Sequence, residues 1–398
     1  MTAIEDDRAA RPPRVALYRD ARARRIFFQA VAVILLLWLG WDVVANARSN
    51  LAARGILSGF DFLDRSAGFD VSQSLIPYTA TDTYRRLYVV GLLNTLLVAV
   101  LGIVFATILG FLIGIARLSR NWLLARLAGG YVELVRNLPL LFQLLFWYLA
   151  VLGTLPGPRE SVSILGVMFL NNRGVVLPRP VFGAGSGLVV LALGVAVLAV
   201  WIWRGCVRHH QIKTGRTLPI LWPSLLLLLG LPLVAILATG FPVSLEMPEL
   251  RGFNFAGGWR VIPEFVALLI GLTVYTAAFI AETVRGGILA VQRSQSEAAF
   301  ALGLSRQRAM QLIILPQALR VIIPPLTSHY LNLTKNSSLA VGIGYPDLFA
   351  VFAGTALNQT GAQAIEIIGI TMATYLALSL ATSALMNLYN ARLRLVER

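Results

Sequence analysis

The sequence predicts an all-α, polytopic membrane protein with about eight transmembrane helices, and three observations predict it. Of 398 residues, 57% are apolar and only 13% charged, with strongly positive mean hydropathy; soluble domains are not built this way. Apolar runs near the roughly 20 residues needed to cross a bilayer recur along the chain. Basic residues collect in alternate segments between those runs, the arrangement that orients membrane proteins.

The elements follow in order. Residues 1–25 form a hydrophilic N-terminal segment holding Arg8, Arg11, Arg14, Arg19, Arg22, Arg24 and Arg25. The run Ile26 to Val44 exceeds the about 7–15 apolar residues of a signal peptide, so it reads as a first span despite the cleavage-like Ala45-Asn46-Ala47. The rest of 26–86 is mixed in character and is placed outside. Leu87 to Ala116 is the second span, with Gly110 and Gly114 at the spacing that lets helix backbones touch. Arg117, Arg120 and Arg126 mark an inner loop. The third span, Leu138 to Leu152, has a polar entry: Glu133, Arg136, then Pro139 where a first helical turn tolerates proline. Gln143 lies inside it and needs a partner.

Region 156–263 opens with an outer segment rich in Gly, Pro and Asn. It contains the fourth span (Gly187 to Trp203), a basic inner loop (Arg204, Arg208, Lys213, Arg216), the fifth span (Leu218 to Thr239) and a second outer segment. The sixth span is Phe265 to Ala281. The seventh is Val321 to Ile343, and Tyr345 to about Ala364 is outer. The eighth span, Ile365 to Leu388, ends region 264–390, and 391–398 is a tail with Arg392, Arg394 and Arg398. Both termini are then cytoplasmic, with roughly 23 of the 34 Lys and Arg on inner segments.

The net charge of +15 belongs to this orientation signal, and no nucleic-acid partner is expected. Cys206, His209, His210 and His329 form no metal-ligand spacing. Neither Lys213 nor Lys335 sits in a Gly-Lys-Ser/Thr phosphate loop, so use of ATP would need a partner. No nucleophile, base or cofactor set points to an enzyme.

Three polar stretches stand out. In 294–316, Ser294 and Glu297 are spaced as a capping box, so a helix begins at Gln295. Ala298 and Ala299 continue it, and Gly303 stops it in the left-handed conformation. Ser305 caps a second short helix, and Pro316 breaks the backbone before the next span. In the seventh span, Ser328, Asn332 and Lys335/Asn336 recur at helical steps on one face, followed by Ser337 and Ser338. A lysine near the bilayer centre costs on the order of 3 kcal/mol. It either lines a substrate pathway with Gln143, Asn332, Asn336, Ser337 and Ser338, where it meets a carboxylate, or snorkels or pairs structurally. At the end of the sixth span, Glu282 and Arg285 can pair, beside Gly286.

These stretches resemble one family. Glu297-Ala298-Ala299, Gly303, Ile313, Leu315 and Pro316 fit the EAA loop of ABC importer permeases at every defined position. Tyr131 to Gln143 is similar to the Glu-Leu-Phe-Arg-Gly-Thr-Pro-Leu-Leu-Val-Gln segment of the polar-amino-acid branch, with Asn137 and Leu138 in place of Gly and Thr. Tyr275 to Gly287 is similar to its Tyr-x-Ala-x-x-x-Ala-Glu-x-x-Arg-Gly-Gly. Lys335-Asn336-Ser337-Ser338-Leu339 resembles its Lys-Asp/Ser-Thr-Ser-Leu, with Asn336 replacing the acidic version. The resemblance implies a type I importer permease core, 87–155 plus 264–390, with two extra spans inserted as 156–263. It implies an amino-acid importer of the bacterial inner membrane working by alternating access. The implied partners are a homologous or identical second permease, an ABC ATPase dimer gripped by Glu297 to Gly303, and a periplasmic binding protein. A self-sufficient secondary transporter or channel is the alternative; it would need intramembrane acids, which are scarce. A non-transporting scaffold would leave the polar seventh span unexplained.

Overall fold

The computed structural model describes residues 21–53, 59–215, 218–241, 243–360 and 363–393. Most of the N-terminal arginines, Arg216, Arg394 and Arg398 lie outside the described residues. Helices run in the order α1 (Ala21–Ala53), α2 (Tyr84–Ala116), α3 (Trp122–Asn137), α4 (Leu140–Leu145), α5 (Ser186–Thr214), α6 (Leu221–Ala238), α7 (Pro263–Leu289), α8 (Arg293–Ala301), α9 (Arg306–Ala309), α10 (Leu315–Asn336), α11 (Leu357–Thr360) and α12 (Ala364–Leu393). Seven helical stretches among the described residues are long and apolar enough to cross a bilayer. They become eight when α3 and the stretch Leu140–Leu152 count as one span.

The core is built on α2 and α7. Thr83 caps α2, its hydroxyl accepting from the Arg86 N–H at 3.4 Å. The two glycines at helical spacing face α7. A Cβ at Gly110 would lie 2.6 Å from Ile280 Cβ, and one at Gly114 would lie 2.8 Å from the Ala281 carbonyl oxygen. The glycines therefore pack a helix partner rather than lipid, and nothing larger fits this crossing. Around the pair, α10 packs on α7 and on α12, and Ile280, Val284, Ile322 and Leu333 form one buried cluster.

Prolines shape the start of two expected spans. The polar entry to the third folds as a helix of its own, α3, which meets the stretch Leu140–Leu152 at a bend of 108°. Pro139 has no N–H to continue the ladder and holds Leu138 extended (φ −99°, ψ 133°). The seventh was expected to start afresh after a break at Pro316, but the helix runs on through Arg306–Ile343. Just before the proline, Met310–Ile314 widens into a π turn in which the Leu315 N–H reaches the Met310 carbonyl. That turn makes room for a ring that would otherwise strike the carbonyl four residues back.

The two segments of 156–263 expected to lie outside hold strands that the sequence reading missed. β1 (Val162–Ile164), β2 (Met168–Asn171), β3 (Gly174–Leu177) and β8 (Trp259–Val261) form an antiparallel sheet in the order β1-β2-β3-β8. β4 (Arg179–Phe182) pairs β5 (Val243–Glu246), and β6 (Glu249–Arg251) pairs β7 (Asn254–Ala256). β8 runs directly into α7, which fastens the sheet to the core. Within the insertion α5 and α6 pack against each other. The basic stretch Arg204 to Lys213, expected as loop, continues α5 instead.

Candidate functional site

At one end of the molecule α7 gives way to α8. The helix starts at Arg293, two residues before the expected Gln295, and no side-chain cap bond forms there. Its C-terminus closes as a Schellman motif. The Leu304 N–H donates to the Ala299 carbonyl (3.1 Å) and Gly303 adopts φ +77°. Ser305 caps α9 by accepting from the Arg308 N–H at 3.4 Å. Ala299 is buried, whereas Glu297, Ala298 and Gly303 are exposed. Leu302 is 81% exposed and Phe300 is exposed beside it, with Arg306 over its ring. The elbow thus offers a small-residue face rimmed by apolar side chains that nothing among the described residues covers. Ile313 and Leu315 are half-buried behind it and Pro316 is exposed. The sequence reading, which looked to the alanines and the glycine of this helix, gave Leu302 and Phe300 no role.

Deeper in the fold, Tyr275, Thr276 and Phe279 of α7 face His329, Asn332 and Asn336 of α10 across a cavity of about 230 Å³. The three α10 residues are three and four apart, so one helical face supplies them all. His329 Nε2 meets Thr283 Oγ1 at 2.9 Å, with the hydrogen's location set by the tautomer. The Arg136 guanidinium stands 5.1 Å over the Phe279 ring. It has no carboxylate partner among the described residues. Of the residues the sequence singles out, Asn332 and Asn336 line this cavity together with Tyr275, Thr276, Phe279 and His329, and Arg136 stands beside it.

Lys335 and Ser338 do not join them. They line a separate, mostly apolar crevice of about 320 Å³ with Phe349, Thr371, Met372 and Tyr375. One helical step of about 100° carries Lys335 off the asparagine face. Ser337 is buried, donating to the Thr334 carbonyl at 2.8 Å, and Ser338 donates to the Lys335 carbonyl. Gln143 is also elsewhere. Its side-chain amide donates to the Val135 and Leu138 carbonyls at 2.9 and 3.0 Å, adding to the long 3.4 Å bond from the Leu138 N–H to the Val135 carbonyl at the break before Pro139. Its partner is backbone, and its role here is to hold the bend.

Glu282 accepts from Arg285 at 2.6 Å, as the spacing predicts, and also from Arg117 at the end of α2. One carboxylate thus ties α2 to α7, and Gly286 follows on the same helix end. Glu133 lines a different cavity, with Arg117 and Arg285.

Towards the opposite end, the chain after α10 is held by a buried polar network. Asn94 donates to the Gln73 and Pro346 carbonyls, and Thr95 Oγ1 accepts from the Leu348 N–H at 3.0 Å. Asp347 accepts from the Ala350 N–H at 2.8 Å and from the Tyr375 hydroxyl at 3.0 Å. Burial pushes its carboxyl up to about 6 against the pull of those bonds.

Residues 211–395 match the family described as "Binding-protein-dependent transport system inner membrane component". The chain is 51% identical to the general L-amino acid transport system permease protein AapQ of Rhizobium johnstonii, over 97% of this chain and 96% of that protein. It belongs to the amino-acid ABC transporter permeases. It is also 53% identical to the putative amino-acid ABC transporter permease protein YhdX of Escherichia coli, over 96% and 97% of the two chains. Identity is 44% to the glutamate/glutamine/aspartate/asparagine transport system permease protein BztB of Rhodobacter capsulatus, over 98% and 99%. The permease is a multi-pass membrane protein.

Proposed function

We propose that this permease forms the translocation path of an ATP-driven importer for L-amino acids, with α8 and α9 as the seat of the ATPase. The observation that carries this reading is the exposed elbow at Gly303. A short alanine helix ends in a left-handed glycine, presents Leu302 and Phe300 outward, and joins directly to the helix that bears Asn332 and Asn336. Both termini and this elbow lie on the cytoplasmic side. A homologous or identical second permease completes the path, a periplasmic binding protein delivers solute at the Asp347 end, and 156–263 is an insertion in the five-helix core. The names of the full-length relatives support the substrate class.

Within the path, Arg136 supplies the positive charge beside the cavity. A cation with no internal carboxylate partner suits a solute carboxylate, and Asn332 and Asn336 offer neutral hydrogen bonds to the rest of the molecule. Lys335, in its separate crevice, plays the lesser part. Alternating access then requires that the solute and nucleotide states favour different conformations.

The test is uptake of a labelled amino-acid panel into proteoliposomes with and without the ATPase and binding protein. ATP-dependent uptake only by the full assembly is expected. Uptake at full rate by the permease alone would overturn the reading in favour of a self-sufficient transporter. Within the assembly, Arg136→Gln raises KM by about tenfold, the weight of one charge-assisted hydrogen bond, and Lys335→Ala changes it less.

A further inference from the structure

Beside the Glu282 tie lies a cavity of about 330 Å³, lined by Arg117, Arg126, Gly129, Gly130, Glu133 and Arg285. No solute group or coupling contact has been assigned to it. Three arginines and one glutamate face it, and Glu282 is already engaged by Arg117 and Arg285. Arg126 and Glu133 have no ion-pair partner among the described residues. Arg126 is exposed at its mouth. Open space lies over both glycines, where a Cβ would meet nothing within 4 Å. The cavity therefore has a cationic excess and room for a group larger than a water.

The helix that forms its wall has three faces. Ala128, Val132 and Val135 are buried against α7. Arg126, Gly130 and Glu133 form the cavity face. Leu123, Leu127 and Leu134 form a third stripe at helical spacing next to it, with Leu127 64% and Leu134 63% exposed. Trp122, 74% exposed, begins the helix, where an indole suits the headgroup level of a bilayer. A basic pocket between membrane helices, flanked by an exposed leucine stripe, matches a molecule with an anionic head and apolar tails. A free anion would need the pocket but not the stripe.

We propose that this cavity binds the phosphate headgroup of an anionic phospholipid from the inner leaflet, with its acyl chains laid along Leu123, Leu127 and Leu134. The leaflet rests on the orientation proposed above, in which the C-terminal ends of α2 and α7 are cytoplasmic. Arg126 is the free donor to the phosphate. Arg117 and Arg285 supply field from behind while remaining bonded to Glu282. Basic pockets on the cytoplasmic side of membrane helices bind such heads by this chemistry.

The test is native mass spectrometry of the purified full chain in detergent with phosphatidylglycerol and phosphatidylcholine added in equal amounts. Phosphatidylglycerol adducts are expected to dominate. Arg126→Gln lowers their apparent affinity by roughly fivefold, the weight of one basic side chain at an anionic surface, and leaves phosphatidylcholine binding unchanged. Gly130→Leu fills the cavity, keeps every charge and lowers phosphatidylglycerol binding as well, so a folding defect of the first variant does not remove the test. Equal retention of the two lipids, or unchanged phosphatidylglycerol binding in both variants, overturns the proposal. Displacement of the lipid by inorganic phosphate alone overturns it too, since the stripe would then contribute nothing. No ATPase or solute enters the measurement, so selective lipid binding by a chain that moves no amino acid would refute the transport reading alone.

Discussion

The left-handed turn at Gly303 gives the sharpest prediction. Gly303 has φ +77° and open space around it: an added Cβ would meet nothing within 4 Å. Substitution therefore carries no steric penalty inside the chain, and its cost is that of placing an L-residue in the left-handed region. That cost is about 1–2 kcal/mol for an ordinary residue, and less for Asn, whose short side chain tolerates the region. Gly303→Ala should depopulate the Schellman elbow by about fivefold or more, since 1.4 kcal/mol corresponds to about tenfold. The relaxed chain would lose the Leu304 N–H to Ala299 carbonyl bond, 3.1 Å in the intact elbow. Gly303→Asn should retain most function, Gly303→Ala lose much of it, and Gly303→Val lose most, because β-branching adds to the strain. The assay is binding of the ATPase subunit to the permease, with ATP-driven uptake in proteoliposomes alongside. All three variants should insert in the membrane normally. A loss that follows side-chain volume, with Asn worse than Ala, would refute the dihedral argument and point to a bulk clash with the partner. Wild-type binding in Gly303→Ala would refute the role of the elbow itself.

Other substitutions test the packing. Gly110→Leu should abolish accumulation of folded permease, because its side chain would enter Ile280 of α7; size-exclusion profiles in detergent check this, and a monodisperse variant would contradict the crossing. Glu282→Gln leaves Arg117 and Arg285 without their shared carboxylate. Partial exposure of the group, 30%, tempers the cost to about 2–3 kcal/mol, and Tm should fall by several degrees, with part of the loss recovered when Arg117→Met is added. Asp347 carries a carboxyl raised by burial to about 6 from 3.8, so the folded chain holds that proton more tightly than the unfolded one. Its stabilising effect is present below about pH 4 and is lost as pH rises through about 6. Tm should therefore rise on going from about pH 8 to about pH 5.5, and this rise should shrink in Asp347→Asn; an identical slope in the variant would remove Asp347 as its source.

The legible parts of this molecule were those in which composition and local chemistry agree. The long apolar runs gave the spans, and Ser305 and Gly303 gave the ends of the two short helices, because caps are decided by neighbours within a few residues. The pairing of Glu282 with Arg285 followed from helical spacing. What escaped depends on distant partners. Arg117 joins that pair across 165 residues, and Asn94, Thr95 and Asp347 become a network only when the chain after α10 folds back on α2. Asn332 and Lys335 looked like one polar group in the sequence, since steps of three and four residues tolerate some angular drift. The short strands were hidden by the turn-rich composition of their surroundings.

The corrected seventh span alters the mechanical picture. A break at Pro316 would have placed a joint between the coupling elbow and the polar face. Instead one helical body runs from Arg306 to Ile343, 38 residues, roughly 55 Å at 1.5 Å per residue. That exceeds a bilayer's hydrocarbon core of about 30 Å and its full thickness of about 40–45 Å. The same body carries His329, Asn332 and Asn336 and finishes one residue before Gly344, next to the Asp347 network. Displacement at the elbow would then move the cavity wall and the far network together, with α7 as the surface it slides on. Between elbow and cavity the helical body is interrupted by the π turn at Met310–Ile314 and, inside α10, by Pro324 and Pro325, which each remove a backbone donor. Deleting one residue from the π turn would restore α-helical winding and drive Pro316 against the carbonyl four residues before it; uptake in proteoliposomes should fall, and wild-type uptake would show that the π turn is not required.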